Sequence, residues 1–86
     1  MVDDAYDQAL FAAVSRGEVG ALGALYDRHA AVLFALANHL VGERSRAEDL
    51  LHDVFLELAR YAREPAAACR GVLRWLVLRL FERAGT

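Results

Sequence analysis

Apolar residues recur along this chain with the spacing of an α-helix, and no segment shows the strict alternation of a β-strand. Helices separated by short breaks are therefore predicted. The first helix runs from about Asp4 to Ser15 and ends before Gly17, since glycine commonly terminates helices. The second helix spans about residues 18–41 and is closed by Gly42.

The third predicted helix has the clearest start signal. Ser45 and Glu48 match a capping box, in which each side chain accepts a hydrogen bond from the backbone N–H of the other residue. The helix is therefore predicted over residues 45–63, ahead of Pro65. Its core-facing residues share one side at about 100° per residue: Leu50, Leu51, Val54, Phe55, Leu58 and Tyr61.

Residues 64–70 are predicted to form a loop, and a fourth helix follows from about Arg70 to Ala84. Trp75 and Leu78 are predicted to point away from the core. The core stripe of this helix contains Leu73, Leu76, Val77 and Leu80.

The composition agrees with a folded domain, because 57% of the residues are apolar and 26% are charged. A chain of 86 residues has material for only one core. The predicted fold class is all-α, a compact bundle of about four helices formed as a single domain over residues 1–86.

Charge is distributed unevenly along the chain. Residues 1–59 carry four arginines against ten acidic residues, a net charge of −6. Residues 60–86 carry six arginines against two glutamates, a net charge of +4. This division predicts two surfaces for different partners, although chance clustering in a short chain accounts for it equally well.

One face of the third helix, opposite its core stripe, has an unusual mixture of side chains. It carries Asp49, His52, Asp53, Leu56 and Arg60. A leucine among charged residues on an exposed face is typical of a docking surface. The alternative is a solvated face with one isolated leucine, which is common on helices.

The core stripe of the fourth helix is flanked by arginines, namely Arg70, Arg74, Arg79 and Arg83. Together with Trp75 they form the combination expected at a single-stranded nucleic-acid site. Arginine binds phosphate, and an aromatic ring stacks on an unpaired base. The alternative is that Trp75 covers the 64–70 loop or lies in a dimer contact.

We predict no catalytic, metal or cofactor site. Asp49 and His52 form half of a carboxylate-x-x-His motif for two metal ions, but the second copy is absent. His29 is expected to make a surface or helix-packing hydrogen bond. Cys69, the single cysteine, is expected to be a small buried or loop residue.

The sequence contains no predicted membrane span. The longest apolar stretch, residues 30–41, is interrupted by Asn38 and His39 and is much shorter than the ~20 residues that cross a bilayer. The acidic amino terminus also differs from a signal peptide, which begins with positive charge. A cytoplasmic protein without a membrane partner is therefore expected.

Three segments, in their order and spacing, resemble the region 2 domain of bacterial extracytoplasmic-function sigma factors. They are Leu-Tyr-Asp-Arg-His-Ala at 25–30, Ala-Glu-Asp-Leu-Leu-His-Asp-Val-Phe-Leu at 47–56, and Arg-Gly at 70–71 followed by Arg-Trp-Leu at 74–76. The resemblance covers nearly the whole chain.

The resemblance implies two binding surfaces. The third helix would dock on the clamp helices of the RNA polymerase β′ subunit through Asp49, His52, Asp53, Leu56 and Arg60. The loop and the fourth helix would recognise and melt the promoter −10 element on the non-template strand. The residues assigned to this DNA are Arg63, Arg70, Arg74, Trp75 and Arg79. An anti-sigma factor is a further implied partner.

The chain departs from the family pattern in two places. His52 and Asp53 stand where the family usually has Gln and Glu. The family commonly has a small residue and a DNA-facing Asn after Trp-Leu, where this chain has Leu80, Phe81 and Glu82, and Glu82 would repel phosphate.

These departures leave a second interpretation open. The chain would then be a sigma-like protein-interaction module without promoter recognition, binding polymerase, an anti-sigma factor or its own copy through Trp75, Leu78 and Phe81. A working sigma factor also has a region 4 domain, so the chain is expected to be either a fragment or a stand-alone domain.

Overall fold

In a computed structural model, residues 4–85 form four α-helices joined by short turns. They are α1 (Asp4–Ser15), α2 (Ala21–Val41), α3 (Arg44–Ala62) and α4 (Val72–Arg83), with no strand in this range. The all-α prediction is confirmed, and the predicted bounds of α1 coincide with the observed ones. Residues 1–3 and 86 of the predicted domain lie outside the described range.

One hydrophobic core joins the four helices. Every pair of helices is in contact, and α2 and α3 pack together most extensively. The largest fully buried apolar side chains come from α2, α3 and α4, namely Leu25, Leu33, Val54, Leu58, Val72, Leu76 and Leu80. The predicted core face of α3 is confirmed, with Tyr61 half-buried at its end.

Glycines in the left-handed backbone conformation set both ends of α2. The helix begins at Ala21 rather than at residue 18, because Gly20 has a φ of 91° and the preceding residues form a turn. Gly42 ends the helix with a φ of 69°, and its N–H donates to the carbonyl of Asn38. Left-handed glycine is a common helix C-terminus, so the predicted stop at Gly42 is confirmed.

The predicted capping box at the start of α3 is wrong. The helix begins at Arg44 after an extended Glu43, and no side chain caps it. Ser45 therefore lies inside the first turn, beyond the position from which its hydroxyl could cap the helix. The Glu48 carboxylate instead accepts a hydrogen bond from Nε of Arg44 at 3.3 Å.

The start of α4 is capped by a side chain from α1. The Asp4 carboxylate accepts hydrogen bonds from the N–H groups of Gly71 and Val72, both at 3.0 Å. The helix begins at Val72 rather than at Arg70, because Gly71 is left-handed with a φ of 69°. The hydrogen bond from Gln8, followed by those from Gly71 and Val72, lowers the pKa of Asp4 below its usual range.

A buried polar cluster joins α1 to α2. Asp7 is fully buried, and its two carboxylate oxygens lie 2.7 Å from Nε of Arg28 and 2.8 Å from Nε2 of His29. His29 therefore makes the predicted helix-packing hydrogen bond. No buried side-chain polar atom in the described part of the chain lacks a hydrogen-bond partner.

None of the helices within residues 4–85 combines the length and apolar character needed to cross a membrane.

Candidate functional site

The predicted docking face of α3 is exposed to solvent. All five of its residues are exposed: Asp49, His52, Asp53, Leu56 and Arg60. Leu56 retains 51% of its accessible surface, which is high for a leucine. The face is therefore available to a partner. One of its flanks borders an apolar groove and the other a polar cleft.

His52 and Leu56 lie on the flank of α3 that faces α2. They border an apolar groove of about 390 Å³, which is lined by Leu22, Gly23, Tyr26, His52, Phe55 and Leu56. The Tyr26 ring stacks beside the His52 ring at 6.0 Å between centroids, and the Tyr26 hydroxyl lies 3.5 Å from Nε2 of His52. Tyr26 also contacts the Phe55 ring at 5.0 Å.

A second groove of about 300 Å³ also lies between α2 and α3. Tyr26 and His52 line both grooves, and the second also includes Phe34, Arg44 and Leu51. We call the two together the α2–α3 groove. Its first part is apolar and suits the apolar side chains of a helix laid along it, while Arg44 and Glu48 make the second part more polar. Periodicity within α3 did not reveal this groove, because half of its lining comes from α2.

Asp49 and Asp53 lie on the other flank of α3. They line a polar cleft with Arg46 and Arg83, and Nη1 of Arg83 is 3.9 Å from the Asp53 carboxylate. The negative charge of this flank is therefore partly offset by arginines. Arg60 forms no ion pair with any residue in the range 4–85.

Trp75 does not project freely into solvent, so the predicted orientation of this side chain is wrong. It is half-buried and packs against the core. The Tyr61 ring stacks on the indole at 5.7 Å between centroids with a 14° interplanar angle. The Arg79 guanidinium lies 4.9 Å from the indole centroid. Leu78, by contrast, is 52% exposed as predicted.

The arginines of α4 divide into two sets. Arg79 and Arg83 both pair with Glu57 of α3, with nitrogen–oxygen distances of 3.4 and 2.7 Å. Arg79 also pairs with Glu82 at 3.1 Å, so the carboxylate that sequence reasoning placed against DNA lies beside an arginine of its own helix. These two arginines hold α4 against α3.

The remaining predicted DNA-binding arginines are exposed. Arg63, Arg70 and Arg74 form no ion pair with other residues of the described segment. Arg63 lines a small cleft with the end of α1, including Ser15 and Gly17. Arg70 and Arg74 stand at the end of the loop and on the first turns of α4. Two of these three arginines, Arg70 and Arg74, therefore place unpaired positive charge at the start of α4.

Residues 64–70 form the predicted loop, and Cys69 is its buried residue. Burial raises the pKa of the Cys69 thiol, and the negative charge of Asp4 adds to this effect. The thiol is therefore protonated at neutral pH and packs as a small apolar group. The expectation that Cys69 is a small buried residue is confirmed.

Within residues 4–85 no three His, Cys, Asp or Glu side chains are grouped so as to hold a metal ion. Comparisons with protein-family models, with curated proteins and with solved structures gave no match.

Proposed function

We propose that this chain is a transcription initiation module that works in the bacterial cytoplasm. It binds the β′ clamp helices of the RNA polymerase core through the exposed face of α3 and the adjoining α2–α3 groove. It then binds the non-template strand of the promoter −10 element through the 64–70 loop and the start of α4. The proposal comes from the sigma region 2 resemblance and is supported by the geometry of these surfaces.

The observation that carries the proposal is the position of Leu56. This half-exposed leucine borders an apolar groove on one flank of α3, and Asp49 and Asp53 lie on the other flank of the same helix. An amphipathic partner helix would bury its apolar residues in the groove and place basic residues against the two acids. The arrangement therefore suits a helical partner that carries basic residues.

The DNA-binding part of the proposal is supported by charge. Arg70 and Arg74 are exposed and unpaired within the described residues, and they lie around the carboxyl end of the loop. Arginines in this state gain from phosphate contacts without first breaking an ion pair. Melting would be driven by the binding energy for extruded bases.

Capture by the polymerase clamp tests the docking surface. In a pull-down with a purified β′ clamp-helix fragment, Leu56→Arg should weaken binding at least about tenfold, because it places a large charged side chain at the groove edge. Val32→Arg is the matched control, since Val32 is an aliphatic residue of α2 that is 61% exposed and lines neither part of the α2–α3 groove.

Asp49→Arg should also abolish capture if the acidic flank takes part. Equal capture of the wild type, Leu56→Arg and Asp49→Arg would reject the docking assignment. Circular dichroism of each variant establishes that the helical fold is intact.

A second function is favoured by the surroundings of Trp75. Because Tyr61 and Arg79 pack against the indole, and Arg79 and Arg83 pair with acids, this part of α4 offers little to DNA. It offers the exposed Leu78 to a protein instead. The chain would then be a sigma-like interaction module that does not recognise promoters.

Binding of a fluorescent single-stranded −10-like oligonucleotide at two salt concentrations distinguishes the two functions. The initiation module should bind at low salt and lose affinity steeply as salt rises. A folded protein that does not bind at low salt would favour the interaction module. Sedimentation of the wild type against Leu78→Asp would then test self-association through α4.

A further inference from the structure

The 64–70 loop is tied to the end of α3 by one hydroxyl group. The Tyr61 hydroxyl donates a hydrogen bond to the carbonyl of Ala68 at 2.6 Å, and the N–H of Ala68 lies 3.4 Å from the same oxygen. One side chain thereby satisfies both backbone polar groups of Ala68. The Tyr61 ring is itself fixed between Phe11 at 5.8 Å and Trp75 at 5.7 Å.

The loop is tied a second time just after Ala68. Cys69 is buried, and the Asp4 carboxylate binds the N–H groups of Gly71 and Val72. Arg70 is thus the exposed residue between two fixed points of the backbone. The position of its Cα is set by contacts with α1 and α3, which are distant in sequence.

Ala66 indicates that the loop is held in a strained shape. Its φ is 62°, and it is the one non-glycine residue with a positive φ in the described range. Alanine adopts this left-handed conformation at a cost, because its Cβ approaches the backbone carbonyl. Such strain persists where the surrounding structure enforces it, and it concentrates at binding sites.

We infer that Tyr61 is a positioning residue for single-stranded DNA, which fixes the loop in its binding shape before the strand arrives. The inference rests on the proposed promoter-binding function. A loop that is already ordered loses less conformational entropy when DNA binds. Less of the free energy gained from the phosphate contacts of Arg70 and Arg74 is then offset by ordering the loop, and the DNA affinity is higher. Tyr61 itself contacts the strand in no step of this scheme.

Tyr61→Phe is the direct test, because it removes the hydroxyl and keeps the ring that stacks on Trp75. Fluorescence anisotropy with a short fluorescein-labelled single-stranded DNA should give an affinity roughly fivefold weaker than wild type, the effect of about one hydrogen bond. The slope of log affinity against log salt should stay unchanged, because no phosphate contact is lost. Arg74→Ala should instead reduce that slope by about 0.7.

Ala66→Gly distinguishes an effect of loop order on DNA affinity from an effect on the stability of the fold. Glycine relieves the left-handed strain but frees the loop, so DNA affinity should fall while the thermal unfolding midpoint does not. Ser15→Ala is the matched control for Tyr61→Phe. It also removes a hydroxyl that donates to a backbone carbonyl, that of Phe11 at 3.2 Å, but outside the loop. It should bind DNA as the wild type does.

The outcomes are distinguishable. A folded wild type that fails to bind at low salt removes the promoter-binding function and the inference with it. A wild type that binds, with Tyr61→Phe and Ala66→Gly within twofold of it, overturns the inference and leaves the function standing. A loss of affinity in both variants, at an unchanged salt slope, supports the role of Tyr61.

Discussion

Oδ2 of Asp7 in α1 lies 2.8 Å from Nε2 of His29 in α2, and both side chains are buried. The other oxygen of Asp7 accepts a hydrogen bond from Arg28 at 2.7 Å. The Arg28 guanidinium also lies 4.7 Å from the centroid of the Tyr6 ring. A buried carboxylate is tolerated here because both of its oxygens are paired. These contacts fix the register of α1 on α2.

Removal of the buried carboxylate should destabilise the fold. Asp7→Ala leaves His29 without its buried partner and Arg28 without its ion pair, so the free energy of unfolding should fall by about 3 kcal/mol. Urea denaturation followed by circular dichroism measures this change. Asp27→Ala, at an exposed aspartate with no partner in the described part of the chain, should change it by less than about 0.5 kcal/mol. Equal effects of the two substitutions would contradict the structural role of Asp7.

Stability should depend on the ionisation of Asp4. Hydrogen bonds from Gln8, Gly71 and Val72 lower the pKa of this carboxyl in the folded state. The stabilisation is therefore fully present above the unfolded pKa of about 4 and is lost as the pH falls through the lowered folded value. Asp4→Asn should be less stable than the wild type at pH 7, and the difference should shrink in acid. Parallel stability profiles of the two proteins would refute this linkage.

Two glycines of α2 should respond to substitution with opposite signs. Gly23 lies within the helix and a Cβ there would meet no atom within 4 Å, so Gly23→Ala should stabilise the protein by about 0.5–1 kcal/mol. Gly42 is left-handed at the helix end, so Gly42→Ala should destabilise it by about 1 kcal/mol. Thermal unfolding compares the pair. A stabilising Gly42→Ala would be inconsistent with the observed backbone.

Neutralising Glu57 should leave Arg79 with one acidic partner, Glu82 at 3.1 Å, and so make the Arg79 guanidinium easier for phosphate to bind. Glu57 pairs with both Arg79 and Arg83, so Glu57→Gln should strengthen binding of single-stranded DNA and steepen its salt dependence. The free energy of unfolding should fall by no more than about 1 kcal/mol, because these pairs are partly exposed.

Glu43→Gln is the matched control, since it removes the same charge from an exposed residue at the opposite end of α3 from the 64–70 loop, and Glu43 pairs with no arginine in the described structure. Equal gains in affinity would assign the effect to net charge rather than to the release of Arg79.

The bundle itself could be predicted from the sequence, because its signals are local. Helical periodicity identified the buried face of α3, and glycine positions gave the ends of α1 and α2. In α4 the predicted core residues Leu76 and Leu80 are buried, Leu73 and Val77 are half-buried, and the buried Val72 was not predicted. The exposed sector of α3 from Asp49 to Arg60 followed from the same periodicity. Each of these features depends on residues within a few turns of one another.

Local signals were misleading at the starts of α3 and α4. The Ser45 capping box does not form, because α3 begins one residue earlier, at Arg44, and α4 is capped by Asp4, which lies 67 residues before Gly71. No spacing rule pairs residues so far apart.

The surroundings of Trp75 were likewise decided by the tertiary structure. The periodicity of α4 placed this residue outside the core stripe, but it could not indicate that the Tyr61 ring of α3 would cover it. The sequence by itself determined which helices form and which faces they bury, since hydrophobic burial follows the helical repeat. Only the tertiary structure decided which polar groups cap, pair or cover one another, because those contacts depend on how the helices pack.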